Sequence, residues 1–454
     1  LRINNPRRLV KAKNVTKKYQ WEIKQKREIL ICVELSCKQP GGGVKLARGE
    51  TIVGLDVGST KVAVIIGSIG PDGQLQIVGF GSVPSAGIRR GSVIDIENTV
   101  RSIEQAIEKA EQMSGREIDG GYVGITGISI ASINNRGVVA VADPEQEIAR
   151  EDVERVLQAA RVVALPHDRR VVHVIPRQFI VDGNENILDP VGMVGARLEV
   201  ETQIVTITNA AAQNLLKCCE RAGFHVQELV LNSLASGEAV LLPAEKELGV
   251  AVVDIGGGAT DIAVYDQGSL WYSAVLPVGG DYITSDLAVG LRTPLNQAEE
   301  LKKKAGSVLP ELMPDNEMVD VPGMGGKEVH QASKKMIAKI IQPRVQEILG
   351  MVKNQLEKSR YQGMLPGGIV ITGGGALTEG LVELATEVME RPVRLGFPEA
   401  AGGLADVIHS PVFATGIGLL SYAARRHGIE MEKTEGLSWK DTFTKIRKWF
   451  KDLL

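Results

Sequence analysis

From Thr51 onward, short apolar runs alternate with glycine-rich breaks, the pattern of strands joined by tight turns. Thr51–Leu55 and Val62–Gly67 read as a hairpin around a Gly-Ser-Thr-Lys turn, and Gln74–Gly79 as a further strand. Asp95–Met113 switches to helical spacing, with Ile96, Val100, Ile103, Ile107 and Ala110 on one face. Gly121–Ile125 returns to strand, and Glu151–Val163 is an amphipathic helix. Val171–Val181 and Ala196–Thr208 alternate as strands, Asn209–Ala222 is helical, and Glu228–Leu231 is a strand. His173 lies between two valines with no second histidine nearby, which predicts a packed structural side chain.

The opening pattern then recurs. Gly249–Asp254, Asp261–Tyr265 and Leu270–Leu276 repeat the layout of residues 51–79, with Asp254 in the place of Asp56. Duplication of a whole lobe is the simplest account. Ala298–Lys304 and Ala332–Lys358 are helical, Gly368–Thr372 is a strand running into three glycines, and a helix is expected to begin near Thr378. Val412–Ala424 is a glycine-containing helix and 427–436 a polar linker. Residues 437–454 place Trp439, Phe443, Ile446, Trp449, Phe450, Leu453 and Leu454 on one helical face, with Lys440, Lys445, Arg447, Lys448 and Lys451 beside or opposite it. Large aromatics facing Lys and Arg predict a helix lying on an anionic membrane surface.

Composition narrows the function. Of 454 residues 44% are hydrophobic and only 4% aromatic, so Val, Ile, Leu and Ala must fill the core. A net charge of −3 argues against nucleic acid binding driven by bulk charge. The basic residues concentrate in the tail and in residues 1–49, a segment that reads as a solvated extension. Cys32, Cys37, Cys218 and Cys219 have the spacing of neither a disulfide framework nor a zinc site, and read as reduced thiols. No stretch is apolar for the length a spanning helix needs, and no secretory signal is visible.

The candidate chemistry sits in the matched turns, Asp56–Lys61 and Asp254–Asp261. Glycines let backbone N–H groups approach phosphate oxygens. On this reading Gly58, Ser59, Thr60 and Lys61 from the first turn and Gly256, Gly257, Gly258 and Thr260 from the second hold ATP, while Asp56 and Asp254 hold Mg²⁺ through its waters. A third run, Gly373, Gly374 and Gly375, opens toward a helix N-terminus and suits adenosine and phosphate. No Walker A loop is present, and the strand–strand turns do not fit a dinucleotide fold.

These three motifs, in this order, resemble the superfamily of actin, the seventy-kilodalton heat-shock chaperones and the sugar kinases. The resemblance implies an α/β, actin-like fold: two duplicated RNase H-like lobes around a nucleotide cleft, joined by helices at Asn232–Val240 and Val412–Ala423. It offers Glu299 and Lys302 as ribose contacts. Val-Ile-Asp-Ile-Glu at 93–97, His173–Gln178, Asn186–Gly195, Val278–Asp286 and Ala298–Gly306 narrow the likeness to the FtsA family of bacterial cell division proteins, over residues 50–454.

By that resemblance 50–126 and 207–246 form the first lobe, 127–206 an inserted subdomain (1C), 247–304 and 351–410 the second lobe, and 305–350 its small subdomain (2B). Residues 411–426 close the first lobe, and 437–454 are the membrane-targeting helix. Subdomain 2B is then expected to receive the C-terminal tail of the tubulin-like protein FtsZ, and 1C to meet later division proteins. The chain itself would polymerise head to tail, peripheral on the cytoplasmic side of the cell membrane at the division site.

Where actin and the chaperones carry a water-orienting Glu or Gln, alignment places Ser233. Slow or no hydrolysis is therefore expected, with Asp254 and Asp261 left to position a water. The alternatives are a PilM-like pilus-assembly adaptor, which would not need Trp439–Leu454, and a small-molecule kinase, which would need a general base that the sequence does not offer.

Overall fold

The computed structural model describes residues 51–69, 74–142, 147–325, 329–359, 365–399, 402–404 and 408–427. Residues 1–49 and 437–454 lie outside them, and with them Trp439, Phe443, Ile446, Arg447, Lys448, Trp449, Phe450 and Leu453. The chain divides into two compact units. One holds 133–167 and 171–206; the other holds 51–132, 168–170 and 207–427.

The larger unit begins with the meander β1 (Thr51–Val57), β2 (Lys61–Ile69) and β3 (Leu75–Pro84), followed by a small hairpin, β4 (Ile88–Arg89) and β5 (Ser92–Val93). Helix α1 (Ile96–Ser114) starts where Asp95 accepts the amide of Asn98 and ends at Gly115 in the left-handed region (φ 66°). It lies so close to β3 that a Cβ on Gly81 would stand 2.0 Å from the Ala106 carbonyl. Strand β6 (Gly120–Ile125) follows.

The smaller unit contains most of β7 (Ile130–Ala140), all of α2 (Arg150–Arg161), most of β8 (Arg169–Val181), then β9 (Asn184–Ile187) and most of β10 (Arg197–Thr208), in the sheet order β7-β10-β8-β9. It has its own core, which includes Val153, Val156, Leu157, Phe179, Leu198 and Val200. His173 is buried in it.

Back in the larger unit come α3 (Asn209–Arg221), β11 (His225–Leu231), α4 (Asn232–Val240) and α5 (Pro243–Leu248). The second lobe follows: β12 (Val250–Ile255), β13 (Thr260–Asp266), β14 (Ser269–Leu276), α6 (Gly280–Gly290), α7 (Leu295–Ala305), the hairpin β15 (Met318–Pro322) and β16 (Val329–Ser333), α8 (Lys334–Lys358), β17 (Ile369–Thr372), α9 (Leu381–Met389) and β18 (Val393–Leu395). Helix α10 (Ala414–Arg426) closes the described chain.

The duplication is visible in the sheets. The first lobe runs β3-β2-β1-β6-β11, and the second runs β14-β13-β12-β17-β18. In each, an antiparallel meander is extended by two parallel strands. Helices α4 and α10 pack between the lobes. All nine residues of α4 are buried, which is why it shows no amphipathic stripe. At their crossing a Cβ on Gly418 would lie 1.9 Å from the Ala235 carbonyl.

Two local expectations change, and one strand is new. Ala332 and Ser333 end strand β16; α8 starts at Lys334, where the Ser333 hydroxyl accepts the Met336 amide at 3.2 Å. The helix expected near Thr378 begins at Leu381, after a 3₁₀ turn at Gly374–Leu377. Strand β7 has no expectation behind it, because its exposure is mixed along both faces and its sequence lacks alternation.

A phosphate-type cleft between matched turns

Ligand sites in open α/β sheets lie beyond the carboxyl ends of parallel strands. Here Asp56 and Asp254 stand at those ends, on β1 and β12. They line a cleft of about 1070 Å³ within the larger unit. The two turns close identically: Gly58 N–H donates to the Lys61 carbonyl and Gly256 N–H to the Ala259 carbonyl, both at 2.9 Å. The amides of Ser59, Thr60, Gly257 and Gly258 make no hydrogen bond among the described residues, and these are the donors a phosphate would meet.

The turns also interlock. A Cβ on Gly257 would stand 1.8 Å from Thr60 Oγ1, and one on Gly258 would stand 2.4 Å from Ser59 Oγ. Thr60 Oγ1 donates to Asp281 Oδ1 at 3.3 Å, and Ser59 Oγ accepts the Gly91 amide at 3.1 Å. The second turn is in turn tied to α6, whose first amides, Gly280 and Asp281, donate to the carbonyls of Gly256 and Gly257 at 2.9 and 2.8 Å. The helix N-terminus thus holds the turn in place through backbone bonds.

The carboxylates differ in their surroundings. Asp56 pairs with Lys61 at 2.5 Å, so that lysine already has an anion, and its ammonium also lies 5.5 Å from the centre of the Phe413 ring. Asp254 is buried and accepts the hydroxyls of Ser236 on α4 and Thr415 on α10, the latter at 3.0 Å. Burial pushes its carboxyl up, and the two hydroxyls pull against that shift. Asp261 is its cross-strand neighbour. Burial drives Asp261 well above the usual carboxylate range, the nearby Asp254 adds to this, and Thr126 Oγ1, placed 2.7 and 2.8 Å from the two oxygens, opposes it.

Two buried carboxylates side by side, with the nearest lysine committed to Asp56, form a donor set that a hydrated divalent cation would satisfy. No group of three or more His, Cys, Asp or Glu side chains converges as a metal cage among the described residues.

Also lining the cleft, Glu299 and Lys302 stand one turn apart on α7, 2.6 Å from each other. Burial opposes ionisation of Glu299, but the Lys302 ammonium, with Thr284 and Lys303, overcomes this and holds its carboxyl below the usual range. Lys302 also donates to Gly280 O at 3.1 Å. The third glycine run packs on the second turn. Gly373 has φ 86°, and a Cβ there would lie 2.3 Å from Asp254 Oδ1; Gly375 presses on Ile255. A Cβ on Gly374 would meet Val412 Cγ2 at an ordinary 3.9 Å, and Gly374 lines the cleft. The intervening 3₁₀ turn means that no helix N-terminus directly follows these glycines.

Two assignments are corrected. Thr260 is fully buried and does not line the cleft; its hydroxyl donates to Val278 O at 2.8 Å, because alternation along β13 turns it to the face opposite Asp261. Ser233 is also fully buried and off the cleft, and the residue that opens α4 into the cleft is Asn232. Thr126, Ser236, Asp281 and Thr415 were not legible as site residues. Each lies outside the glycine-rich turns, and no local spacing marks its side chain as facing the cleft or its carboxylates.

The comparisons agree on one family. The family model described as cell division protein FtsA matches residues 251–418, and the SHS2 domain inserted in FtsA matches 127–206. Cell division protein FtsA of Pseudomonas aeruginosa is 44% identical over 83% of this chain and 90% of that protein. That of Bacillus subtilis is 42% identical over 85% and 86%, and that of Escherichia coli 38% over 90% and 99%. Among solved structures, a PilM–PilN type IV pilus biogenesis complex aligns with TM-score 0.59 at 18% identity, over 84% of this chain and 98% of that one, a likeness of fold alone.

Proposed function

The chain belongs to the FtsA family of cell division proteins, and on that premise we propose that it is an ATP-binding adaptor that polymerises and ties FtsZ filaments to the cytoplasmic face of the cell membrane. The observation that carries the nucleotide reading is the interlocked pair of turns, each beside a strand-end aspartate, with amides that meet no acceptor among the described residues. ATP would lie between them with Mg²⁺ near Asp56 and Asp254. Gly373–Gly375 and the Glu299–Lys302 pair would take the nucleoside end. Asn232 opens α4 with a carboxamide one methylene shorter than the water-orienting Gln of actin, so a water would be held less well and slow hydrolysis is expected.

The partner assignments rest on the family. The FtsZ tail would dock on subdomain 2B, and later division proteins on 1C. The sequence of 437–454, with Trp439, Phe443, Ile446, Trp449, Phe450 and Leu453 opposite Arg447 and Lys448, would supply the membrane anchor. One such helix binds weakly, and a head-to-tail polymer multiplies it by avidity. The same tail is the argument against a pilus-type adaptor.

The test is recruitment of labelled FtsZ to anionic liposomes with ATP–Mg²⁺, by the full chain and by a truncation ending at Glu435. The full chain is expected to bring FtsZ to the membrane and the truncation to leave it in solution. Membrane binding without FtsZ would refute the partner assignment. Equal recruitment by the truncation would refute the anchor.

A further inference from the structure

We propose that Arg90 is an inter-lobe latch that slows nucleotide release, an inference that rests on the nucleotide reading of the cleft. Arg90 and Gly91 form the two-residue loop of the β4–β5 hairpin, with φ of 50° and 73°. A two-residue hairpin with both φ positive favours Asn-Gly or Asp-Gly, because a short polar side chain tolerates the left-handed region. An arginine is the wrong residue for the turn itself, and a strained residue that persists points to a role outside its local structure.

Its surroundings supply that role. The Arg90 guanidinium carbon lies 5.3 Å from the centre of the Tyr282 ring, on α6 of the second lobe. The same ring carries Arg344 of α8 at 5.4 Å, and Arg344 is fixed by Asp286 at 2.6 and 3.1 Å and by Glu347. The ring therefore has a held position, and Arg90 is the first-lobe cation that closes on it. The loop is wedged at the matched turns as well: Gly91 donates to Ser59 Oγ at 3.1 Å, and a Cβ on Gly258 would stand 2.9 Å from the Arg90 amide nitrogen. Tyr282 is two residues from Gly280, whose amide holds Gly256. Arg90 thus bridges the lobes outside the nucleotide-lining residues and beside both turns.

The discriminating variant is Arg90→Asn, which improves the turn and removes the latch. A local structural role predicts only a change in stability, whereas the latch predicts faster release without lost stability. Chase of a fluorescent ATP analogue from the full chain is expected to show release about two- to fivefold faster, the factor of one exposed cation–π contact, with the melting temperature unchanged or raised. Tyr282→Leu should accelerate release to the same degree, and the double variant no further. Unchanged release in Arg90→Asn, or additive effects in the double variant, would overturn the latch. If the wild-type chain fails to bind the analogue, the nucleotide reading falls, and the latch is judged on the nucleotide-free protein by hydrogen exchange. There Arg90→Asn should speed exchange across 54–61 and 254–261, and equal exchange would refute it.

Discussion

Gly257→Ala tests whether closure of the two turns on each other is the state that holds ligand. Gly257 does not have a left-handed φ, so alanine costs no backbone strain and the perturbation is purely steric. Its Cβ would stand 1.8 Å from Thr60 Oγ1, 3.1 Å from Thr60 Cβ and 3.0 Å from Asp281 Oδ1. Thr60 cannot swing away without losing its bond to Asp281. Overpacking of this kind costs about 1–3 kcal/mol. The two turns belong to different lobes, so the chain can relieve the clash by opening, and the cost should appear in binding more than in folding. A binding loss of about 5- to 150-fold for ATP–Mg²⁺ is expected, with little change in melting temperature. The assay is titration of a fluorescent ATP analogue into Gly257→Ala, Thr60→Ala and the double variant. Thr60→Ala removes the offending oxygen, so the alanine at 257 should cost at least about fivefold less in that background. Wild-type affinity in Gly257→Ala would mean that the turns need not close. An equal loss in both backgrounds would mean that the contact with Thr60 is not the cause.

Thr415→Val leaves Asp254 with Ser236 as its remaining hydroxyl donor in a nearly isosteric pocket, and should destabilise the chain by about 1–2 kcal/mol in urea unfolding. Asp261 is held well above the ordinary carboxylate range by burial, so its linked stability is fully present below about pH 3.9, the unfolded value, and is lost as pH rises through the raised folded value. Asp261→Asn should therefore raise stability at neutral pH and flatten its fall above about pH 4; an unchanged slope would show that the carboxyl is not the titrating group. Gly418→Ala drives a methyl into the Ala235 carbonyl at the helix crossing and should cost about 3 kcal/mol by urea unfolding, whether or not nucleotide is present.

Much of the site was readable because each turn is a local object. An apolar strand, an aspartate and small residues specify a hairpin wherever they occur, and finding the pattern twice identified the duplicated lobe. Boundaries slipped where local preference and tertiary context compete: Ala332 and Ser333 suit a helix alone but pair with Val319 and Met318 across the β15–β16 hairpin.

Sequence by itself therefore determined the strand order's raw material, the two aspartate-led turns and the glycine run, since each depends on residues within a few positions of one another. Only the tertiary structure decided which of these residues line the cleft. Alternation along β13 buried Thr260, the first turn of α4 presented Asn232 in place of Ser233, and long-range packing brought Thr126, Asp281 and Thr415 to the carboxylates and turns. Burial and partnership are properties of the packed chain, and no local spacing records them.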